Sequence, residues 1–529
     1  MKKLLMVLLI LMMSLAAVAC GNGDANQEEA QVNGEEQQEA AGEQDANQSM
    51  VIAVNADVIS LDPHNVSDTL SRSAAGTMYE PLVEHDMDME IVPSLAEDYW
   101  ISDDGLEYTF ALREGITFHD GTPFNAEAVK YNYDRIVDEE KNLRRRSNFL
   151  QLHSTEVVDE YTVKLVLEEP FAPMLDRVAS LFMISPTALE EHGDDGIINN
   201  PSGTGPYVFK EWVPGDRLVV HRNENYWREG PEISKLTIRP VVENGARIAM
   251  LQTGEADFIY PMPTEQVNAL SGDENIEILQ DDSTIVRFAF INTTKDEFSD
   301  VRVRQAMNYA IDKQAYANIV RSGYSIPLTS HVAETIYFHE AQEPYAYDVE
   351  KAKALLAEAG YPDGFSTDIW APNDTENIRG MEFISQQLGE IGIDVEVIPM
   401  EEGTLSDSIY SAQTPEESTV NMWYVSWSAF DFDGATNRLF HSRNIPPASP
   451  NVSYYMNPEA DQLIDGGATE VDPTLRGEAY SQLQDIIWQD APWIFLGSDV
   501  LLSAKRTTTE GIYVLPGGAI NTTRAAKTK

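Results

Sequence analysis

Residues 236–259, LTIRPVVENGARIAMLQTGEADFI, hold three elements in quick succession. Leu236 to Val241 reads as a strand, Asn244 to Gln252 as a helix stopped by Gly254, and Ala256 to Ile259 as a second strand. A strand, a short helix and a returning strand form a βαβ crossover, which predicts parallel pairing and a helix laid on one face of a sheet. An α/β fold follows from this stretch.

The flanking chain repeats the alternation. Val51 to Val54 is a short apolar strand, and Asp68 to Tyr79 reads as a helix with Leu70, Ala74, Thr77 and Met78 at helical spacing. Tyr108–Leu112 and Tyr161–Leu167 alternate as strands around a helix at 125–137. Ser283 to Ile291 puts Val286, Phe288 and Phe290 on one face and Arg287 on the other. A charge in mid-strand needs a partner, a ligand or an exposed face. Further on, helices are expected at 301–311 and 349–359, capped by Asp300 and Asp348, and at 380–390. Strands are expected at 395–398 and 420–426. A long helix from Asp472-Pro473 carries a stripe of Leu475, Ala479, Leu483 and Ile486/Ile487 and ends before Pro492. Alternation on this scale, without a short repeat, gives an α/β chain of more than one lobe.

The N-terminus places the protein. Lys2 and Lys3 form a positive n-region, Leu4 to Ala19 an apolar run, and Ala17-Val18-Ala19-Cys20 a small-residue cleavage site ending on the only cysteine. Cleavage before cysteine is the pattern of a bacterial lipoprotein, with Cys20 lipidated and residues 1–20 forming the signal. An ordinary secretory signal with an incidental cysteine is the alternative. Residues 21–50 carry eight acids, no Lys or Arg and no aromatic residue, so a disordered acidic tether is expected there. Either reading puts the body outside the cytoplasm, lipid-anchored to the outer face of the cell membrane in the first case.

Composition excludes several functions. The 529 residues carry 36 Lys and Arg against 87 Asp and Glu, a net charge of −51, which repels nucleic acid. Acid spread this widely suits a saline or alkaline exterior. With Cys20 committed, no thiol remains for disulfides, zinc or catalysis. The nine histidines, at 64, 85, 119, 153, 192, 221, 331, 339 and 441, show no metal-site spacing. No nucleophile elbow or phosphate loop appears, and Gly203-Thr204-Gly205-Pro206 reads as a tight turn. The expectation is a binding protein, not an enzyme, with no cofactor or metal.

Four long segments then become recognisable in order: Arg113–Ile136 (REGITFHDGTPFNAEAVKYNYDRI), Gly203–Trp212 (GTGPYVFKEW), Val301–Lys313 (VRVRQAMNYAIDK) and Asp348–Gly364 (DVEKAKALLAEAGYPDG). Together they resemble the family 5 extracellular solute-binding proteins, the receptors of ABC importers for peptides, nickel complexes and related solutes. The resemblance implies a type II periplasmic-binding-protein fold in its large three-domain version, with two lobes around a ligand cleft. Lobe I would comprise 51–92, 203–290 and 495–529, with an inserted domain at 93–202. Lobe II would be 291–494, and the crossings near 290 and 494 would form the hinge. A monomer working with membrane permease subunits is implied.

Asp62-Pro63 with Asp68-Thr69-Leu70-Ser71, Met250–Ala256 (MLQTGEA), Pro261-Met262-Pro263 with Glu265-Gln266, and Trp427-Ser428-Ala429 are similar to the glutathione-binding members. Glutathione or a related small peptide is therefore the implied ligand. A di- or oligopeptide receptor, a nickel- or haem-type receptor, or a peptide sensor on the same scaffold remain the alternatives. One departure stands out: dipeptide receptors of the family place an arginine for the peptide carboxylate in the stretch matching Trp370–Asn377, WAPNDTEN, which has none here. Ligand carboxylates are expected instead on Arg287, which leads as a mid-strand charge beside the hinge, then on Arg72 or Arg145, with Thr69 on the Arg72 helix. Asp431 or Asp433 of SWSAFDFD is expected to take an ammonium, with Trp427 and Ser428 walling the cleft. An ordinary ion pair is the competing reading for each arginine.

Overall fold

The computed structural model describes residues 48–528. The expected signal, Cys20 and most of the acidic tether lie outside the described residues. The last tether positions do not: Ser49 and Met50 already open the strand Ser49–Val54. Among the described residues no helix is long and apolar enough to cross a membrane.

The main sheet runs in the order Ile393–Met400, Phe365–Pro372, Met422–Ser428, Ile276–Ile291, Trp493–Arg506, Phe258–Tyr260, Ser49–Val54, Lys235–Pro240, Arg217–Arg222, Tyr207–Val213. Ser325–Pro327 adds an eleventh strand against Trp493–Arg506. The βαβ unit is present with one correction. Lys235–Pro240 and Phe258–Tyr260 are parallel, but Ser49–Val54 lies between them and pairs with both (Ile52 opposite Ile238 and Phe258). A strand with Met50, Ile52, Ala53 and Val54 all buried suits that central place, where both faces are covered. The crossover helix Asn244–Thr253 is capped by Glu243 and stopped by Gly254 at φ 78°, a conformation that favours glycine.

Two long antiparallel strands, Ile276–Ile291 and Trp493–Arg506, pair from Ile276 opposite Arg506 to Phe290 opposite Trp493. Their register breaks between Asp282 and Val286, opposite Val500 and Ser498. A second break falls between Arg287 and Phe288, opposite Gly497 and Phe495, beside the crossings expected near 290 and 494. Past it, Phe288 stacks on Trp493 at 3.5 Å between ring centres. Val286, Phe288 and Phe290 share one core as their alternation predicts, while Ala289 and Ile291 enter a second core behind the sheet.

Residues 96–167 build a separate four-stranded sheet, in the order Ala96–Ile101, Glu107–Leu112, Thr162–Leu167, Leu152–Asp159. Helix Ala126–Val137, capped by Asn125, packs Val129, Tyr133 and Ile136 onto its core. Gly203 and Gly205 form the expected turn for a reason composition does not show. They lie so close beneath the end of helix Thr69–Met78 that a Cβ on Gly203 would stand 2.2 Å from the Met78 carbonyl oxygen.

The final helix, Pro473–Asp490, corrects its expected stripe. Leu475 is 52% exposed, and the buried face is Tyr480, Leu483, Gln484, Ile487 and Trp488. Its first turn overhangs solvent and a cavity, so periodicity misjudged which residues meet the core.

Candidate ligand-binding site

Two adjoining cavities, of about 390 and 320 Å³, share Met89 and Phe430. Both fall within the range of small-ligand sites. The first is bordered by Arg72, Glu80, Ala179, Phe182 and Arg228. The second lies where helix Met174–Ser180 faces helix Phe432–Phe440 and the start of Pro473–Asp490, and holds Asp176, Asp431, Asp433, Arg476 and Tyr480.

Arg72 projects from helix Thr69–Met78, which Asp68 caps by accepting the Ser71 amide at 2.8 Å. Its guanidinium donates to the carbonyls of Ser180 (3.0 Å) and Ala179 (3.4 Å) and lies 4.9 and 5.6 Å from the ring centres of Phe182 and Phe430. No carboxylate forms an ion pair with it among the described residues. Burial, reinforced by the like charge of Arg145, pushes its pKa down to about 9. Arg145 is also buried and lowered by burial, against an opposing pull from Asp68, and its Nε has no hydrogen-bond partner. Two desolvated guanidiniums with no ion-pair partner among the described residues are costly, and an incoming anion relieves that cost. Arg145 lines neither cavity and acts on Arg72 through its field. Thr69 is exposed on the first turn of the same helix.

Glu80, by contrast, is fully engaged. It accepts from Thr204 (2.8 Å), Tyr226 (2.7 Å), Trp227 (2.8 Å) and Arg228 (3.0 Å), and burial pushes its pKa up. It braces the cavity wall.

Glu84, Asp86 and Asp88 also border the first cavity, so its distinguishing charge is Arg72, whereas the second is marked by its aspartates. Arg177 donates to Asp431 (2.5 Å) and Asp433 (3.2 Å), and Asp176 pairs with His85 at 3.0 Å. Asp431 also caps helix Phe432–Phe440 through the Gly434 amide at 2.8 Å. Four carboxylates, Glu90 included, thus stand against two guanidiniums, Arg177 and Arg476, and the His85 imidazole. Burial raises Asp176, and burial together with the Asp431 charge raises Asp433 to about 6. An ammonium is what this excess of carboxylate accommodates.

A pH effect follows. Asp433 faces Asp431, Asp176, Arg177 and Asn437, and in the empty site it takes a proton as pH falls through about 6. Affinity for an ammonium-bearing ligand is therefore expected to be flat above about pH 7. Below pH 6 it should fall by up to about tenfold per pH unit. Calorimetry from pH 8 to 5 checks this, and a flat profile overturns it. The unliganded fold responds in the other sense: a carboxyl raised from 3.8 to about 6 contributes stability below pH 3.8 that is lost as pH rises through 6.

Arg287, the leading expected carboxylate partner, lines neither cavity. Its Nε donates to both oxygens of Asp499 (3.0 and 2.9 Å), and its terminal nitrogen lies 2.7 Å from Glu376. Arg321 completes the quartet, pairing with Glu376 and, at 3.1 Å, with Asp499. Charge here is balanced by the protein itself, and Arg287 ties the two long strands to helix Thr375–Gly389. Trp427 packs under Arg438, 5.7 Å from its ring centre, and borders a crevice of about 10 Å³. Ser428 is exposed, with its hydroxyl 3.0 Å from that of Thr284. Neither borders the two adjoining cavities.

Sequence reasoning missed Phe430, Phe182, Asp176, Arg177 and Arg476. Phe430 had a signal, since it stands inside SWSAFDFD next to Asp431. Arg177 had none, because its partners lie 254 and 256 residues away.

With this geometry in place, the chain was compared with known proteins. Residues 90–446 match the model of the bacterial extracellular solute-binding proteins, family 5. The chain is 39% identical over 477 residues to the glutathione-binding protein GsiB of Salmonella typhi, covering 89% of this chain and 93% of that protein. Among solved structures, HbpA2 of Haemophilus parasuis matches with a TM-score of 0.82 at 27% identity, covering 91% of this chain and all of that one. The periplasmic binding protein DppA of Helicobacter pylori, solved with the peptide STSA, matches with a TM-score of 0.75 at 28% identity, covering 92% of this chain and all of that one.

Proposed function

Because the chain belongs to the bacterial extracellular solute-binding proteins of family 5, we propose that it captures glutathione or a related small peptide outside the cytoplasm and hands it to the permease of an ABC importer. The observation that carries this reading is the placement of charged groups around the paired cavities. The unpaired Arg72 guanidinium borders one, the Asp176–Asp431–Asp433 cluster borders the other, and Phe430 is shared by both. Glutathione has two carboxylates and one ammonium near neutral pH, so one of its carboxylates answers Arg72 and its ammonium answers the aspartates. The departure at Trp370–Asn377 supports a carboxylate site elsewhere than in dipeptide receptors, and Arg72 supplies one.

In this reading lobe I holds 51–92, 203–290 and 495–529, the inserted domain 93–202, and lobe II 291–494, with bending at the crossings near 290 and 494, beside the register break between Arg287 and Phe288. Closure brings Arg177 of the inserted domain onto Asp431 and Asp433 of lobe II. The protein acts as a monomer, held to the membrane by lipid on Cys20, and Cys20→Ala should move it to the soluble fraction with binding intact.

Titration of the mature protein with glutathione, its disulfide, di- to pentapeptides and nickel complexes tests the assignment. A ligand at a hundred times its Kd stabilises the fold by about 2.7 kcal/mol. Glutathione or its disulfide should raise the melting midpoint accordingly and be recovered intact. A shift with ordinary peptides alone would replace this reading with an oligopeptide receptor.

A further inference from the structure

Arg476 stands near the start of helix Pro473–Asp490 and borders the second cavity with Asp176, Asp431 and Asp433. The ion pairs of that cavity go to Arg177 and His85, and none reaches Arg476 among the described residues. Its Nε is buried without a hydrogen-bond partner, and its guanidinium lies 4.9 Å from the Phe338 ring centre. Phe338 is held at φ 73°, a left-handed conformation that a bulky side chain adopts only under constraint. Gln484 fixes its carbonyl at 2.9 Å, and its ring packs 5.3 Å from that of Tyr480. The aromatic platform under Arg476 is therefore built, and the cation on it is unanswered.

The Tyr480 hydroxyl shows how closely these charges converge. Burial raises its pKa, and the charges acting on it are Asp433, Arg476, Asp431 and Asp176. One small space thus presents a carboxylate cluster and a free guanidinium side by side. The ligand fragment that answers both is an ammonium and a carboxylate on one carbon, a free α-amino-acid head. An α-linked peptide lacks it, because the carboxyl of its first residue is consumed in the amide. A γ-linked glutamyl peptide keeps it.

We infer that the second cavity reads a free α-amino-acid head, with Arg476 taking the carboxylate and the aspartate cluster the ammonium, and so selects γ-linked over α-linked glutamyl peptides. This rests on the glutathione reading above and adds which end of the ligand enters which cavity: the glycine carboxylate goes to Arg72. A guanidinium matches a carboxylate with two parallel hydrogen bonds, so displacement of that carboxylate is poorly tolerated.

The test uses two isomers of equal charge, γ-glutamyl-cysteinyl-glycine and α-glutamyl-cysteinyl-glycine. In the second, two methylenes separate the free glutamyl carboxylate from the ammonium-bearing carbon. Wild-type protein should bind the γ isomer at least about 30-fold more tightly by calorimetry. Arg476→Gln should remove most of that preference by weakening the γ isomer, move the α isomer less than about threefold, and leave the ligand-free melting midpoint in place. Arg476→Lys should restore part of it. Equal binding of the isomers by wild type, or an equal loss for both in Arg476→Gln, overturns this proposal and leaves the glutathione reading standing. Binding of neither isomer by wild type overturns both.

Discussion

Arg287→Ala is expected to lower unfolding stability by about 3 kcal/mol while leaving ligand affinity unchanged. Asp499 is 5% exposed and takes two of its contacts from Arg287. Removing the guanidinium leaves a buried carboxylate short of counter-charge, one of the few ways a single substitution costs this much. The figure sits at the low end for a broken buried pair because Arg321 still reaches Asp499 at 3.1 Å. Denaturant unfolding measures the loss, and calorimetry on the folded variant measures affinity. A stable variant that no longer binds glutathione would return Arg287 to the ligand site and displace the assignment made from the cavities.

Arg72→Met should do the reverse. Glutathione affinity is expected to fall by about 2–5 kcal/mol, a 30-fold or greater loss, because a desolvated ligand carboxylate is left unpaired. The methionine keeps the packing against Phe182 and Phe430, so the melting midpoint of the ligand-free protein should hold or rise as a partly buried charge without an ion pair disappears. Loss of the hydrogen bonds to Ser180 and Ala179 works against that rise. Affinity within threefold of wild type would show that the first cavity does not receive the carboxylate.

Much of the fold was readable one segment at a time. Asp300 and Asp348 cap their helices as expected, and Asp68, Asn125 and Asp472 cap the helical stretches they open, since the capping bond is made within three residues. The long helix shows where that reading stops. Leu475 has the spacing of a core residue and lies in solvent, because the first turn overhangs a cavity that no local pattern announces.

The candidate site divides in the same way. The sequence by itself determined the α/β alternation, the βαβ unit, the absence of catalytic motifs, the family resemblance and a short set of charged residues for a zwitterionic ligand. Which of those charges are free was decided by the tertiary structure alone. Arg287 meets Asp499 across 212 residues of chain, and Arg177 meets Asp431 across 254. Among the described residues Arg72 meets carbonyls and aromatic rings and no carboxylate. A guanidinium within about 4 Å of a carboxylate is satisfied, and one without that also borders a cavity is open to a ligand anion. Coulombic pairing at that range depends on which distant strands and helices the fold brings together, and local sequence carries no record of it.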